Sequence, residues 1–515
     1  MNLPTYAPEN YTDYSQPDNR AAYEAELEKV RGMLGRDYPL VIGSERIHTE
    51  DKISSVNPCK PSQLIGRTSS ASKDHAEQAL SAAWKAFETW KHTTLETRVA
   101  VLVKAASIIK ERKLEFNALL TLEIGKNFAE SEGETAEAID FLEYYARQAL
   151  IHCKPIETFQ MPGERDHAEY IPLGVGVSIT PWNFPLAIFL GQAAAPIVAG
   201  NTMIVKPAED SGVVAAWAVD VMLEAGLPAG VINFLPGLGE VVGSTLVQHP
   251  KTRFINFTGS KNVGLWINAE AAKVQAGQRW IKRVTLELGG KDGMVVDETA
   301  DLEAAADAAV AGAFGFAGQK CSALSRLIVV EAVYPALLEK VVAKAQKLVM
   351  GHAENNKDVN AVINQESYEK SQQYLELAPI EGRVALGGAV GDTEGYFIQP
   401  TIVADLKPDS RMAQEEIFGP ILAVIPVKDF NEAMHVVNDT EYGLTGGLFS
   451  SDESRLEHAE RELHVGNLYL NRKITGAMVG SHPFGGFNLS GTDSKGGGPD
   501  YLLHFMQMKS IARKI

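Results

Sequence analysis

The residues best suited to covalent chemistry in this chain lie in a few short stretches. Cys321 sits in Gly318-Gln-Lys-Cys-Ser322, just past a run of small residues from Asp301 to Ala317. A thiol of reference pKa about 8.5 becomes a nucleophile once its surroundings favour the anion or supply a base. A lone cysteine is more often a small buried hydrophobe, so its meaning depends on its company. That company is Asn183 between Pro181 and Pro185, Glu287 in Leu286-Glu-Leu-Gly-Gly290, and Lys206-Pro-Ala-Glu209. A carboxylate can act as general base, an amide N–H can hold a developing oxyanion, and a lysine beside a glutamate can grip a polar ligand. Taken singly, Asn183 reads as a turn former, Lys206 as a solvated strand end and Glu287 as an ion-pair partner. Their convergence is what would make a site.

Hydrophobic periodicity gives the elements that must position them. The run 301–317 reads as a helix that Gly318 ends, so Cys321 follows a closely packed element. From Tyr170 onward, short β-branched runs at 176–180, 202–206, 231–235, 253–257 and 283–288 alternate with helical runs at 187–199, 211–225, 240–248 and 262–273. This alternation predicts an α/β fold with a doubly wound parallel sheet, which gathers ligands at the carboxyl ends of its strands. Those ends carry Trp182-Asn183, Lys206 to Glu209, Phe257-Thr-Gly-Ser260 and Glu287 to Gly290. Gly237-Leu-Gly239 with Gly243 has one residue too many for a dinucleotide fingerprint. Thr258-Gly259-Ser260, opening a helix, is a second anion-site candidate or a plain turn.

A second α/β series is expected after Gly290, with strands at 293–296, 326–331, 397–404, 421–426 and 446–450 and helices at 335–348 and 431–438. Upstream, a polar arm over 1–20 precedes helices at 21–34, 74–90 and 94–113, then a helical stretch 115–150 interrupted near Gly125 and Gly133. The glycine-rich tail 484–498 is expected to be irregular, and the apolar end 501–508 suits pairing with another subunit.

Composition narrows the class. A formal net charge of -17 with no basic tract disfavours nucleic acid or an anionic membrane as partner. Three cysteines, Cys59, Cys153 and Cys321, offer neither a disulfide framework nor a CxxC metal site, which points to a reducing, cytoplasmic setting without metal. The N-terminus reads as lacking a targeting segment. Tyr170 to Val205 carries no charged residue, but its prolines and glycines break it into strand, turn and helix rather than a membrane span.

Taken in order, Pro181-Trp-Asn-Phe-Pro185, Lys206-Pro-Ala-Glu209, Phe257-Thr-Gly-Ser260, Leu286-Glu-Leu-Gly-Gly-Lys291, Gly318-Gln-Lys-Cys321, Glu416-Ile-Phe-Gly-Pro420 and Pro483-Phe-Gly-Gly486 resemble the aldehyde dehydrogenase superfamily over nearly the whole chain. The long acidic N-terminal region, Asn471 to Ala477 and Ser490 to Ser494 are most similar to the branch that oxidises L-glutamate γ-semialdehyde, the open form of 1-pyrroline-5-carboxylate. The resemblance implies NAD-dependent oxidation of that semialdehyde to L-glutamate, the second step of proline breakdown, by a stand-alone enzyme. Another short semialdehyde, such as that of succinate, is the alternative.

By the same resemblance, Cys321 is the nucleophile, Glu287 the general base, and Asn183 with the Cys321 N–H the oxyanion hole. NAD would meet Thr180, Pro181, Trp182, Lys206, Pro207, Glu209, Gly239, Gly243, Phe257, Gly259, Ser260, Leu288, Glu416 and Phe418. Glu209 near the adenosine 2'-hydroxyl favours NAD over NADP. Ser322 and the N–H groups near Gly476 and Ala477 would hold the substrate carboxylate, with Lys320 assisting, Phe184 and Phe484 flanking its methylenes, and Glu137 reaching in from the helical region. His482 departs from the Gln common before Pro-Phe-Gly-Gly, and Ala477 from a Ser in some relatives, so carboxylate binding there leans on backbone. The implied layout is an NAD-binding domain (1–150 and 171–286), a catalytic domain (287–480) and a small β oligomerisation flap (151–170 and 487–515), giving at least a homodimer.

Overall fold

In the computed structural model, which describes residues 3–391 and 394–515, the uncharged runs after Leu173 become strands buried on both faces. Leu40–Ile42 (β1) and Glu45–Ile47 (β2) form a hairpin at one edge of a seven-stranded sheet. The remaining strands are Val175–Ile179 (β3), Thr202–Lys206 (β4), Ile232–Phe234 (β5), Phe254–Thr258 (β6) and Arg283–Glu287 (β7), in the order β7-β6-β3-β4-β5-β1-β2. The last five are parallel to their neighbours among themselves. Strand order reverses between β3 and β6, and such a switch point opens a crevice beyond the carboxyl ends of the strands.

Helices Lys113–Ile124 (α1) and Phe128–His152 (α2) precede the parallel strands of this sheet, and Ala187–Val198 (α3), Gly212–Glu224 (α4) and Lys261–Ala271 (α5) alternate with them. Covered on both faces, β4 has no exposed residue, which is why it reads as a continuous apolar run ending in Lys206. The second sheet contains Gly293–Val296 (β8), Arg326–Val330 (β9), Arg383–Leu386 (β10), Thr401–Ala404 (β11), Ile421–Val427 (β12), Thr445–Phe449 (β13) and Asn467–Leu470 (β14). Its order is β10-β11-β12-β9-β8-β13-β14, and only the β10–β11 edge pair is antiparallel. Leu302–Phe314 (α6) joins β8 to β9, capped by Asp301, whose carboxylate accepts from Glu303 N and Ala304 N.

A separate three-stranded sheet pairs Ile156–Glu157 and Met506–Lys514 with the two sides of Glu164–Pro172. Phe159, Met161, Met508 and Ile515 are exposed on or beside it.

The structure departs from the sequence reading in informative places. The helix expected to run to Ala317 stops at Phe314, and Phe316 and Ala317 take left-handed φ of 51° and 52° before Gly318 at 69°. The chain there must pass under the 416–420 segment, where a Cβ on Gly318 would lie 2.4 Å from the Gly419 carbonyl oxygen. Gly125 does break the helical stretch, with φ 77°, but Gly133 lies inside α2, where packing overrides its poor propensity. The expected helix 240–248 is a π turn at Gly239–Gly243 followed by the short helix Ser244–Gln248. Of the apolar end 501–508, Tyr501–Phe505 winds into a 3-10 turn and only the residues from Met506 join the last strand. Within 397–404 only Thr401–Ala404 is strand.

Candidate active site

Cys321 lies on the loop after the left-handed turn, and three other segments close on it. Asn183, only 4% exposed, donates from Nδ2 to the Gln319 carbonyl at 3.1 Å, so the turn after β3 is tied to the cysteine loop. Gln319 is itself fixed, its Oε1 accepting from Ile363 N at 2.8 Å. Gly290, just past β7, has no room for a side chain, since a Cβ would sit 2.7 Å from the Cys321 carbonyl oxygen. Glu416 fills the space beside Gly289 and accepts from Gly290 N at 3.0 Å.

Glu287 ends β7. Its Oε1 accepts from Ser494 Oγ at 2.8 Å and its Oε2 from Gly486 N at 3.3 Å, so the glycine-rich tail cradles it. Burial pushes its carboxyl up to about 8, against these two donors, which favour the charged form. Burial likewise pushes the Cys321 thiol well above its usual range, helped by the carboxylates of Asp292, Glu287, Glu416 and Glu137. The resting sulfur is therefore a protonated thiol with acidic groups around it, and attack requires its proton to leave.

The strand-end residues gather as the doubly wound reading expects. Lys206 Nζ reaches Glu209 Oε1 and the Pro207 carbonyl, each at 3.0 Å, and Gly239 N donates to the same Glu209 oxygen at 3.0 Å. Gly243 lies over Lys206, with ordinary van der Waals room at its Cβ position. Thr180 N donates to the Lys206 carbonyl at 3.1 Å, and Leu288 N to Ser490 O at 2.8 Å. Phe257 is buried beneath Gly259, which donates its N–H to the Glu287 carbonyl at 3.1 Å. Half-buried Trp182, beside Pro181, packs edge-on to Phe418 with ring centroids 5.6 Å apart, and Phe418 is held there at φ 62°.

Helix N-termini in such a sheet attract anions, and at the starts of α3 and α4 buried glutamates already take the N–H groups. Glu134 Oε1 accepts from Leu186 N at 2.8 Å and Ala187 N at 3.4 Å at the start of α3. Glu123 accepts from Val213 N at 2.9 Å and Val214 N at 2.7 Å at the start of α4. The start of α5 carries only its own cap, Ser260 Oγ accepting from Val263 N at 3.4 Å.

Near Cys321, α2 presents a row of acids. Glu134 pairs with the fully buried Lys126 at 2.5 Å, and Lys126 lies 3.6 Å from the Phe184 ring centroid and 4.7 Å from that of Phe316. Glu137 is raised to about 8 by burial and then by Glu134. Lys320 is held by Glu130 at 2.6 Å, which draws its charge toward α2. Lys473 faces the same pair and is lowered by burial and by Lys320. Beyond it, Gly476 turns at φ 79° and half-buried Ala477 follows. Ser322 is half-buried beside Cys321, and Phe484 N is fixed to Gly496 O at 2.8 Å. Ser494, Lys126, Glu134 and Glu130 have no assigned part in the sequence reading. Only Ser494 lay in a stretch it singled out.

A model of the aldehyde dehydrogenase family matches residues 46–511. The chain belongs to the aldehyde dehydrogenase family. Among its members, the 1-pyrroline-5-carboxylate dehydrogenase of Geobacillus thermodenitrificans is 53% identical over 508 residues, covering 98% of this chain and 99% of that protein. A Thermus 1-pyrroline-5-carboxylate dehydrogenase solved with bound NAD superposes with a TM-score of 0.99 at 50% identity, all of both chains being covered. Proline utilization A of Bdellovibrio bacteriovorus superposes at 0.97 with 42% identity, covering 99% of this chain and 53% of that one. Among the described residues no helix is long and apolar enough to cross a membrane, and no group of metal-binding side chains is found.

Proposed function

We propose that this aldehyde dehydrogenase oxidises L-glutamate γ-semialdehyde, formed from 1-pyrroline-5-carboxylate, to L-glutamate with NAD. The observation that carries the proposal is the meeting of Cys321, Asn183 and Glu287 in one site, in a chain half identical throughout its length to 1-pyrroline-5-carboxylate dehydrogenases.

The crevice fits a dinucleotide. Its pyrophosphate has the open start of α5 at Ser260, one adenosine ribose has Lys206 and Glu209, and the nicotinamide end has Glu416 and Phe418. When bound, NAD supplies the hydride acceptor. The chain supplies the rest. Cys321 gives its proton to Glu287, which releases it to solvent, and the thiolate adds to the aldehyde carbon while Asn183 Nδ2 and the Cys321 N–H hold the oxyanion. After oxidation the carbon remains on sulfur as a thioester. Glu287 takes a proton from water, the water oxygen adds, and the thiolate leaves, giving the carboxylate.

For the substrate's other end, Gly476, Ala477 and Ser322 offer donors to its carboxylate, and Phe184 and Phe484 flank its methylenes. Glu137, reaching in from α2, would face the substrate's ammonium. Lys320, paired with Glu130, acts through the local field. In assembly terms, the flap strands Glu164–Pro172 and Met506–Lys514 with exposed Phe159 and Met161 fit a homo-oligomer. Free cysteines at all three positions fit a cytoplasmic setting.

The test is NADH formation with 1-pyrroline-5-carboxylate, succinate semialdehyde and propanal at matched concentration. A clear preference for the first, abolished in Cys321→Ala, is expected. Preference for either of the others overturns the substrate assignment and leaves the family chemistry standing.

A further inference from the structure

Residues 3–16 run without helix or strand along α2. One edge of this arm is pinned to that helix: Glu9 N donates to Asp140 Oδ1 at 2.8 Å, Thr12 N to Glu132 Oε1 at 2.8 Å, and Tyr14 OH to Glu132 Oε2 at 2.6 Å. Its other edge reaches the loop that follows Ala477. Tyr6 OH donates to the Val479 carbonyl at 3.1 Å, and Tyr11 OH to Met478 Sδ at 3.7 Å. The Tyr6 ring lies edge-on to Tyr144 with centroids 5.1 Å apart, and a Cβ on Gly480 would come within 3.0 Å of it. The arm therefore bridges α2 and the 476–480 loop.

We propose that Tyr6 and Tyr11 are positioning residues that set the substrate loop, holding the Gly476 and Ala477 N–H groups at the depth a substrate carboxylate requires. The inference rests on the proposed reading that these N–H groups receive that carboxylate. The loop has no helix or strand of its own between Asn471 and Ala477, so its placement depends on what its side chains and carbonyls meet. Backbone donors discriminate between ligands only when held within a fraction of an ångström. The arm ties the loop to the helix whose Glu137 raises the Cys321 thiol, so the two ends of a short substrate are referred to one rigid element. The Tyr11 ring, itself exposed, lies near Glu137 and Asp140 of α2. The arm is anchored away from the loop by Glu9, whose carboxylate meets Lys110 at 2.7 Å and Lys113 at 3.4 Å.

The experiment compares wild type, Tyr6→Phe and Glu9→Gln in steady-state kinetics with L-glutamate γ-semialdehyde and with propanal. Tyr6→Phe keeps the ring and removes the hydroxyl; Glu9→Gln loosens the arm from its far side. KM for the semialdehyde is expected to rise about three- to tenfold in each, the scale of one or two hydrogen bonds, with kcat and the propanal KM within about twofold. The inhibition constant of L-glutamate should weaken in parallel. If KM for both aldehydes moves together, or neither moves while wild type prefers the semialdehyde, the arm does not position the loop. If wild type shows no preference for the semialdehyde, the substrate reading falls first, and this inference falls with it.

Discussion

Ser494 Oγ donates to Glu287 Oε1 at 2.8 Å, from a glycine-rich tail that also brings Gly486 N to the other carboxylate oxygen. Both donors favour the ionised carboxylate, while burial favours the neutral acid and dominates, raising it to about 8. The base of the proposed reaction is thus poised close to working pH, and the tail sets how close.

A general base works in its deprotonated form, so turnover limited by thioester hydrolysis should rise with pH and level off above about 8. Ser494→Ala removes a contact that lowers the pKa, so the rising limb should move to higher pH. The kcat–pH profile reads this directly. An unmoved limb, or one moved to lower pH, would mean that the profile reports a different group.

Asn183 has one amide hydrogen on the Gln319 carbonyl and a second free for an oxyanion. Asn183→Ala should lower kcat about 10²- to 10³-fold, the usual effect of losing such a donor, with little change in KM for NAD. Stopped-flow NADH formation in a single turnover would place the loss in the acylation half. A loss confined to KM would remove Asn183 from the chemistry.

Gly289 lies against Glu416 so closely that a Cβ would sit 2.2 Å from its carboxylate. Gly289→Ala should displace Glu416 and raise KM for NAD about tenfold or more, while the rate at which iodoacetamide alkylates Cys321 without NAD stays within about twofold. Equal losses in both readouts would indicate collapse of the cysteine loop rather than a displaced cofactor contact.

Lys126 and Glu134 form a fully buried pair, and burial drives each toward its neutral form. Lys126→Met leaves Glu134 buried without its cation and should cost about 3–5 kcal/mol in denaturant unfolding. Adding Glu134→Gln, which can still accept from Leu186 N, should recover much of that loss. A double variant no more stable than the single one would contradict the pairing argument.

The parallel strands after Leu173 were legible because burial on both faces leaves uncharged β-branched runs, and their polar ends stand out against them. Asn183, Glu287 and Lys206 stand at those ends, and Cys321 stands past the end of a helix of small residues. The left-handed Phe316 and Ala317 were not legible, since an aromatic and an alanine carry no signal for positive φ, and tertiary contact with Gly419 imposes it. Glu123 and Glu134 read like ordinary helix acids; that they close the starts of α4 and α3 is a property of packing. The helices Gln365–Glu381 and Glu453–Glu462 were missed for opposite reasons, one carrying an internal Pro379 and the other burying little besides Ala459.

The flap pairs Glu164–Pro172 with Met506–Lys514, residue for residue along nine positions, and the chain between these strands contains most of both large sheets. Closing so long a loop costs little more than closing a shorter one, roughly 0.6 kcal/mol per doubling, but pairing across it is slow. Synthesis adds an order of events: Glu164–Pro172 leaves the ribosome long before its partner and waits with a bare edge until the segment after Phe505 arrives. Completion of this small sheet is therefore a late step in the life of the nascent chain, reached only once the two large sheets have brought the distant strands together.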